Sequence, residues 1–150
     1  MTPLLKKAVR EAFAEGLSRS CPRFAAAERG STPPGCDLYV CAHPGGLFLS
    51  VLLDVDAKRD RFTVELGASP RRPWPATLLP GVPGQPARDG ERRLRLARLW
   101  HAGLGVAGAK AMFWELTGDE GQARAQAADA VAKLAEHGVP WLERIAAGPG

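Results

Sequence analysis

The chain has 150 residues, of which 45% are hydrophobic and 24% charged, with a formal net charge of +4 at pH 7. These values are typical of one globular domain, so we expect a single domain over residues 1–150. They exclude a membrane span, because no apolar run approaches the roughly 18 residues that a span needs.

The cysteines and the N-terminal segment predict where the protein resides. Cys21, Cys36 and Cys41 are odd in number and form no C-x-x-C pair, which is typical of reduced thiols rather than of a disulfide framework. The first residues lack the long apolar core and the small-residue cleavage site of a signal peptide. We therefore expect a cytoplasmic protein without membrane association.

The first predicted element is an amphipathic helix over residues 2–16. Thr2 is suited to cap it, Pro3 suits the first helical position, and Gly16 is the expected terminator. Apolar residues recur on one face at helical spacing, so we expect this helix to lie on a sheet. Residues 24–28 form a candidate edge strand.

A three-stranded antiparallel meander is predicted over residues 37–67. Residues 38–43 and 61–66 alternate between apolar and polar side chains, as strands do. Residues 47–55 are the most apolar run and are expected to form the central strand, buried on both faces. Short turns join the three segments, which favours antiparallel pairing.

Less regular segments follow the meander. Residues 69–89 are rich in proline and predict a long loop. Residues 92–100 fit both a strand and one face of a helix, and we favour a strand that continues the sheet. Residues 111–116 predict a last short strand.

A second helix is predicted over residues 117–137, capped by Thr117 or Asp119. Gly138 and Pro140 predict its end, before a short turn that places Trp141 in the core. The fold class is therefore α+β, an antiparallel meander sheet of about four to six strands packed against N-terminal and C-terminal helices.

Patterns associated with cofactors are present but lack their usual context. Residues 103–108 read G-x-G-x-x-G, yet the preceding segment alternates with arginines, unlike the buried strand of a dinucleotide fold. Cys21, Cys36, Cys41 and His43 carry zinc-binding groups at a spacing that matches no compact zinc module. We predict neither a cofactor nor a zinc ion.

Catalytic and hard-cation sites are also weakly indicated. Asp54, Asp56 and Asp60 gather at a hairpin beside basic residues, which is typical of solvated ion pairs rather than of a Mg²⁺ or Ca²⁺ site. Ser50 has His43 or His101 as a candidate base and Asp54 as orienter. It lacks the G-x-S-x-G elbow, so we favour a binding protein over an enzyme.

The strongest functional signal is an arginine-rich segment. Residues 71–110 contain eight basic residues and two acids, whereas residues 111–150 contain three basic residues and six acids. Arginine forks bind phosphate or carboxylate groups, although a solvated arginine surface is the alternative. If residues 92–100 are a strand, Arg93 and Arg95 form a positive stripe on one sheet face. The candidate binding residues are Arg71, Arg72, Trp74, Arg93, Arg95 and Arg98.

Short motifs spread over most of the chain resemble a known family. They are Arg23-Phe24, Glu65-Leu66-Gly67, Arg95 to Leu99, Phe113-Trp114 and Val139-Pro140-Trp141-Leu142. Their order is similar to that of a small bacterial α+β family, a domain of unknown function of the four-three-zero-four type. The resemblance implies an α+β fold and no established activity or catalytic residues. Some small families of this kind are thought to bind partner proteins, as immunity proteins of toxin systems do.

Three hypotheses about function follow. The leading one is recognition of a protein partner, immunity-like, through the polar face of the sheet and the loop over residues 69–89. The alternative is a small-ligand binder or an enzyme with a pocket between sheet and helices near Tyr39, Ser50 and Arg95. The third is weak binding of nucleic acid through the arginines.

Overall fold

The computed structural model describes residues 1–28, 32–76, 81, 90–101 and 111–148. These residues form an antiparallel sheet with helices packed on one of its faces. The predicted α+β class is confirmed. The described strands are β1 (Ala25–Ala26), β2 (Cys36–Ala42), β3 (Phe48–Asp56), β4 (Arg61–Ser69), β5 (Arg92–Arg95) and β6 (Trp114–Glu115). Their order is β1-β2-β3-β4-β5, and β6 also pairs with β4.

The predicted meander forms the centre of the sheet. β3 pairs with β2 along one edge and with β4 along the other, both antiparallel. Residues 49–53 are buried, as expected for the central strand. The connecting turns use positive backbone φ angles, 84° at Gly46 and 48° at Asp60.

Alternation along β4 gives the sheet two different faces. Phe62, Val64, Leu66 and Ala68 point to the helices and are fully buried in the main core. We call this side the helix face. The opposite side, the far face, carries the odd-numbered residues of β4 (Arg61, Thr63, Glu65, Gly67 and Ser69) together with their cross-strand partners.

The first helix, α1 (Pro3–Ser20), is longer than predicted. Thr2 caps it as expected, its hydroxyl accepting from the Leu5 N–H at 3.2 Å. The expected end at Gly16 is wrong. A Cβ at Gly16 would lie 3.0 Å from Cγ2 of Val131 on the second helix, so this glycine permits close helix packing instead of ending the helix.

The C-terminal helical region also continues past its predicted end. α2 (Glu120–Lys133) is capped by Asp119 and runs through a π-helical turn (Leu134–Gly138) into α3 (Val139–Ala146). Gly138 has helical dihedrals, and a Cβ there would lie 2.7 Å from Leu134 and 3.0 Å from Leu96. The prediction of a stop is wrong because Gly138 serves close packing and Pro140 falls in the first turn of α3.

The segment after β4 is partly regular. β5 confirms a strand for Arg92–Arg95, but the chain then turns into a 3₁₀ helix (Leu96–Leu99) rather than extending the strand to residue 100. The strand predicted over residues 111–116 is reduced to β6. The G-x-G-x-x-G segment and most of the predicted loop over residues 69–89, with Arg88 of the arginine-rich segment, lie outside the described residues.

Candidate binding surface

The segment over residues 70–76 is attached to the end of β4 by a buried polar cluster. The Ser69 hydroxyl donates to Oε2 of Glu91 at 2.7 Å and accepts from the backbone N–H groups of Arg71 and Arg72 at 3.2 and 3.3 Å. The same carboxylate oxygen accepts from the Ala76 N–H at 3.4 Å. Ser69 and Glu91 are both buried, so one carboxylate and one hydroxyl hold both ends of this segment.

Trp74 lies over a position of the sheet that only glycine can occupy. A Cβ on Gly67 would lie 2.6 Å from Oγ of Ser50, 2.7 Å from Cδ of Pro75 and 2.9 Å from Cζ3 of Trp74. The missing side chain thus lets the segment pack directly on the far face, next to Ser50 of β3. This contact gives the Glu65-Leu66-Gly67 motif a structural role.

The second buried carboxylate of the far face neutralises a predicted binding residue. Glu65 accepts two hydrogen bonds from the Arg93 guanidinium, at 2.9 Å from Nε and 3.2 Å from Nη2. The Arg93 side chain is 16% exposed and that of Glu65 is 4% exposed. The guanidinium carbon also lies 5.5 Å from the centre of the Trp74 ring, which adds a cation–π contact. Arg93 therefore contacts both the Glu65 carboxylate and the Trp74 ring.

Two arginines contact the same aromatic ring, that of Phe113, next to this cluster. The guanidinium carbon of Arg61 lies 3.6 Å from the centre of the Phe113 ring, and that of Arg95 lies 5.3 Å from it. Within the described part of the chain, Nε of Arg95 is buried and has no hydrogen-bond partner. The predicted positive stripe of Arg93 and Arg95 is thus half-buried, and its two members differ in their partners.

Arg71 and Arg72 are the exposed members of the predicted set. The Arg72 side chain is 48% exposed, and its Nε lies 3.6 Å from the Glu91 carboxylate. Arg71 is also exposed. The structure brings Arg72, Trp74 and Arg93 together around residues 70–76 and places Arg95 beside them along β5. Arg98 lies further on, half-buried on the 3₁₀ helix.

Sequence reasoning missed Ser69, Glu91, Glu65 and Gly67, the residues that hold this surface in place. Glu65 and Gly67 alternate with apolar residues inside a strand, a pattern that reads as an ordinary solvated sheet face. Glu91 lies next to a run of arginines and reads as a surface acid. The sequence did contain one signal, the scarcity of acids in an arginine-rich segment. Because a buried guanidinium needs a carboxylate, the few acids near many arginines are candidates for buried partners.

The predicted catalytic and pocket residues lie apart. Ser50 and Arg95 are on the far face, whereas Tyr39 is on the helix face, with its ring 5.9 Å from that of Phe13. The alternative pocket therefore does not combine them. Ser50 is fully buried under residues 67 and 74–75, and Nδ1 of His43 accepts from the Gly45 N–H at 3.3 Å in the turn after β2.

The side chains considered as metal ligands lie at different places in the structure. Cys36 and Cys41 occupy opposite faces of β2. Burial, and then the charge and hydrogen bond of Asp54, raise the pKa of Cys36 to about 12. Asp56 accepts from Arg59 at 3.1 Å and from Arg61 at 3.2 Å, as expected for paired hairpin acids. Among the described residues, no three His, Cys, Asp or Glu side chains are grouped closely enough to hold a metal ion.

Comparison with family models, curated proteins and solved structures found no match. In the described part of the chain, no helix combines the length and apolar character needed to cross a membrane.

Proposed function

We propose that this chain is a binding protein that recognises an acidic partner protein through the segment over residues 70–76 and the adjoining far face. The observation that carries the proposal is the way in which Ser69, Glu91 and Gly67 hold this segment. Its backbone N–H groups donate to a buried hydroxyl and to a buried carboxylate, and its tryptophan packs on the strand at Gly67, which has no side chain.

A segment held in this way favours binding. Ordering a loop on association costs free energy, and a segment that is already ordered avoids that cost. Arg71 and Arg72 are both exposed on this segment, and exposed guanidinium groups can pair with carboxylates of a partner. The excess of basic residues over residues 71–110 would also accelerate encounter with an acidic surface.

The observations favour a protein over a nucleic acid as the partner. Binding along a phosphate backbone requires a row of accessible cations. Arg93 is largely buried and already bonded to Glu65, which interrupts such a row along β5. Some small families of the kind that this chain resembles are thought to bind partner proteins, as immunity proteins do, and this also favours a protein partner. We also propose a cytoplasmic location, which three unpaired cysteines support.

The test compares two charge reversals of equal size. The variant Arg71→Glu plus Arg72→Glu alters the proposed surface, and Arg19→Glu plus Arg144→Glu alters exposed arginines of α1 and α3. Proteins captured from a lysate of the source organism are identified by mass spectrometry, and the recovered partner is titrated against each variant.

We expect an acidic partner whose affinity falls by about 100-fold or more in the first variant and by less than about threefold in the second. Equal binding by both variants would refute the proposed surface. Retention on duplex DNA that depends on Arg71 and Arg72, with no protein captured, would establish the nucleic-acid hypothesis instead.

A further inference from the structure

A cleft of about 680 Å³ lies between α1 and the segment that enters β2, and residues 70–76 do not line it. This volume is within the range of small-molecule sites, about 300–1,000 Å³. Lys6, Lys7 and Arg10 of α1 line one wall. Pro33, Pro34 and Tyr39 contribute apolar surface to the other wall.

The charges of the cleft are unequally paired. Arg10 donates two hydrogen bonds to Asp37, both at 2.8 Å. Lys7 lies 3.6 Å from Glu11, which also accepts a hydrogen bond from Arg124 at 3.3 Å. These contacts engage both acids of the lining. Lys6 is half-buried and forms no ion pair with the described residues. One positive charge thus remains in the cleft after the internal pairs are formed.

Tyr39 gives the cleft a fixed aromatic surface. Its ring packs against Phe13 of the core, and β2 holds its backbone between β1 and β3. Burial raises the pKa of Tyr39, the charge of Asp37 raises it further, and Arg10 lowers it. The phenol is therefore neutral at physiological pH and available as a hydrogen-bond donor.

We infer that this cleft binds a small organic anion, with its carboxylate or phosphate group on Lys6 and its apolar or aromatic body against Tyr39, Pro33 and Pro34. A point charge beside apolar and aromatic surface matches a ligand with both parts. The inference goes beyond the proposed partner surface, since the two sites share no residue.

The experiment uses four probes that separate the two parts of such a ligand. Benzoate and phenyl phosphate carry both the ring and the acid, benzyl alcohol carries only the ring, and inorganic phosphate carries only the charge. Binding to the full chain is followed by amide chemical shifts and by calorimetry. We expect saturable shifts at residues 6–10 and 36–39 with benzoate or phenyl phosphate, and affinity at least about tenfold weaker for the two partial probes.

Two lysine variants test the assignment of the charge. Lys6→Gln should weaken binding of the anionic aromatic probes by about tenfold or more. Because Lys7 is already paired with Glu11, Lys7→Gln should change their affinity by less than about twofold. Unchanged thermal melting would show that both variants fold. Equal effects of the two variants, no saturable shift at millimolar probe, or equal binding of inorganic phosphate and phenyl phosphate would each overturn the inference.

The single tyrosine provides an independent readout. An aromatic anion bound against the Tyr39 phenol should shift the ring proton resonances of Tyr39 at neutral pH when benzoate or phenyl phosphate is saturating. This shift should disappear in Lys6→Gln. Ring resonances of Tyr39 that saturating probe leaves unchanged would place the anion away from Tyr39 and contradict the inference.

Discussion

Gly67 is the position at which one added methyl group should detach the proposed binding segment. In Gly67→Ala the new Cβ would meet Ser50, Pro75 and Trp74 at 2.6, 2.7 and 2.9 Å. Side-chain atoms essentially never approach so closely, and two of these contacts involve rings with little freedom to move. The least costly relaxation is displacement of residues 74–75 from the far face.

The size of the effect follows from two opposing contributions. Overpacking of this kind costs about 1–3 kcal/mol, and replacing glycine recovers about 0.4–1 kcal/mol by restricting the unfolded chain. We expect the free energy of unfolding to fall by about 1–2 kcal/mol, equivalent for this chain length to a melting temperature lower by about 2–8 °C. Displacement of Trp74 should also shift tryptophan emission to the red.

The assay is urea denaturation combined with tryptophan fluorescence. Gly121→Ala is the matched control, because its Cβ would meet only the Asp119 carboxylate, at 3.5 Å and 4.0 Å. It lies in the first turn of α2 and should stabilise the protein by up to about 1 kcal/mol. The emission shift of Gly67→Ala should be lost when Trp74 is replaced by phenylalanine.

A double variant identifies the clashing atom. Adding Ser50→Ala to Gly67→Ala removes the 2.6 Å contact and should restore at least about 0.5 kcal/mol relative to the sum of the single changes. If Gly67→Ala were as stable as the parent protein and had the same emission, the close packing of Trp74 on the sheet would be refuted.

Three further predictions address the buried pair, the thiol and the tyrosine. Glu65→Gln leaves the Arg93 guanidinium without its carboxylate and should cost about 2–4 kcal/mol in urea denaturation. The more exposed pair of Glu11 and Arg124 should cost under about 1 kcal/mol in Glu11→Gln, and equal costs would contradict the burial of Glu65. With the pKa of Cys36 raised to about 12, only about one thiol in ten thousand is ionised at about pH 8, so iodoacetamide should modify it slowly in peptide mass spectrometry. Asp54→Asn should accelerate this reaction, and an unchanged rate would argue against the thiol–carboxylate contact. Absorbance titration should show that Asp37→Asn lowers the pKa of Tyr39 and that Arg10→Gln raises it, and shifts in the same direction would refute the assigned causes. Because the folded pKa of Tyr39 exceeds the unfolded value, its contribution to stability is complete below about pH 10 and is lost as pH rises through the folded pKa.

Helix ends were harder to predict than strands because one residue type serves two purposes. Gly16 and Gly138 carry the same local signal as helix-ending glycines, but each faces another element that would collide with a side chain. Whether a glycine ends a helix or permits close packing depends on what lies opposite, and local sequence does not contain that partner. Pro140 illustrates the same limit, since a proline suits the first turn of a new helix as well as the end of an old one.

The candidate binding surface was likewise predictable from the sequence only in part. Charge counts identified the arginine-rich segment, since net charge depends on composition alone. The exposure of each arginine depends on carboxylates that are distant in sequence, 28 residues away for Arg93 and 19 for Arg72. Strand register and the return of the chain along β5 decide which carboxylate each arginine meets. Arginines that look alike in the sequence therefore differ in burial and in their partners.

The sequence by itself determined the α+β class, the meander and its turns, because alternation and turn chemistry act between neighbouring residues. Only the tertiary structure decided that Gly67 admits Trp74, that Glu65 neutralises Arg93, and that Arg71 and Arg72 remain exposed. Each of these outcomes requires contacts between different strands or segments. Their distances depend on how the whole sheet is assembled, which no local pattern encodes.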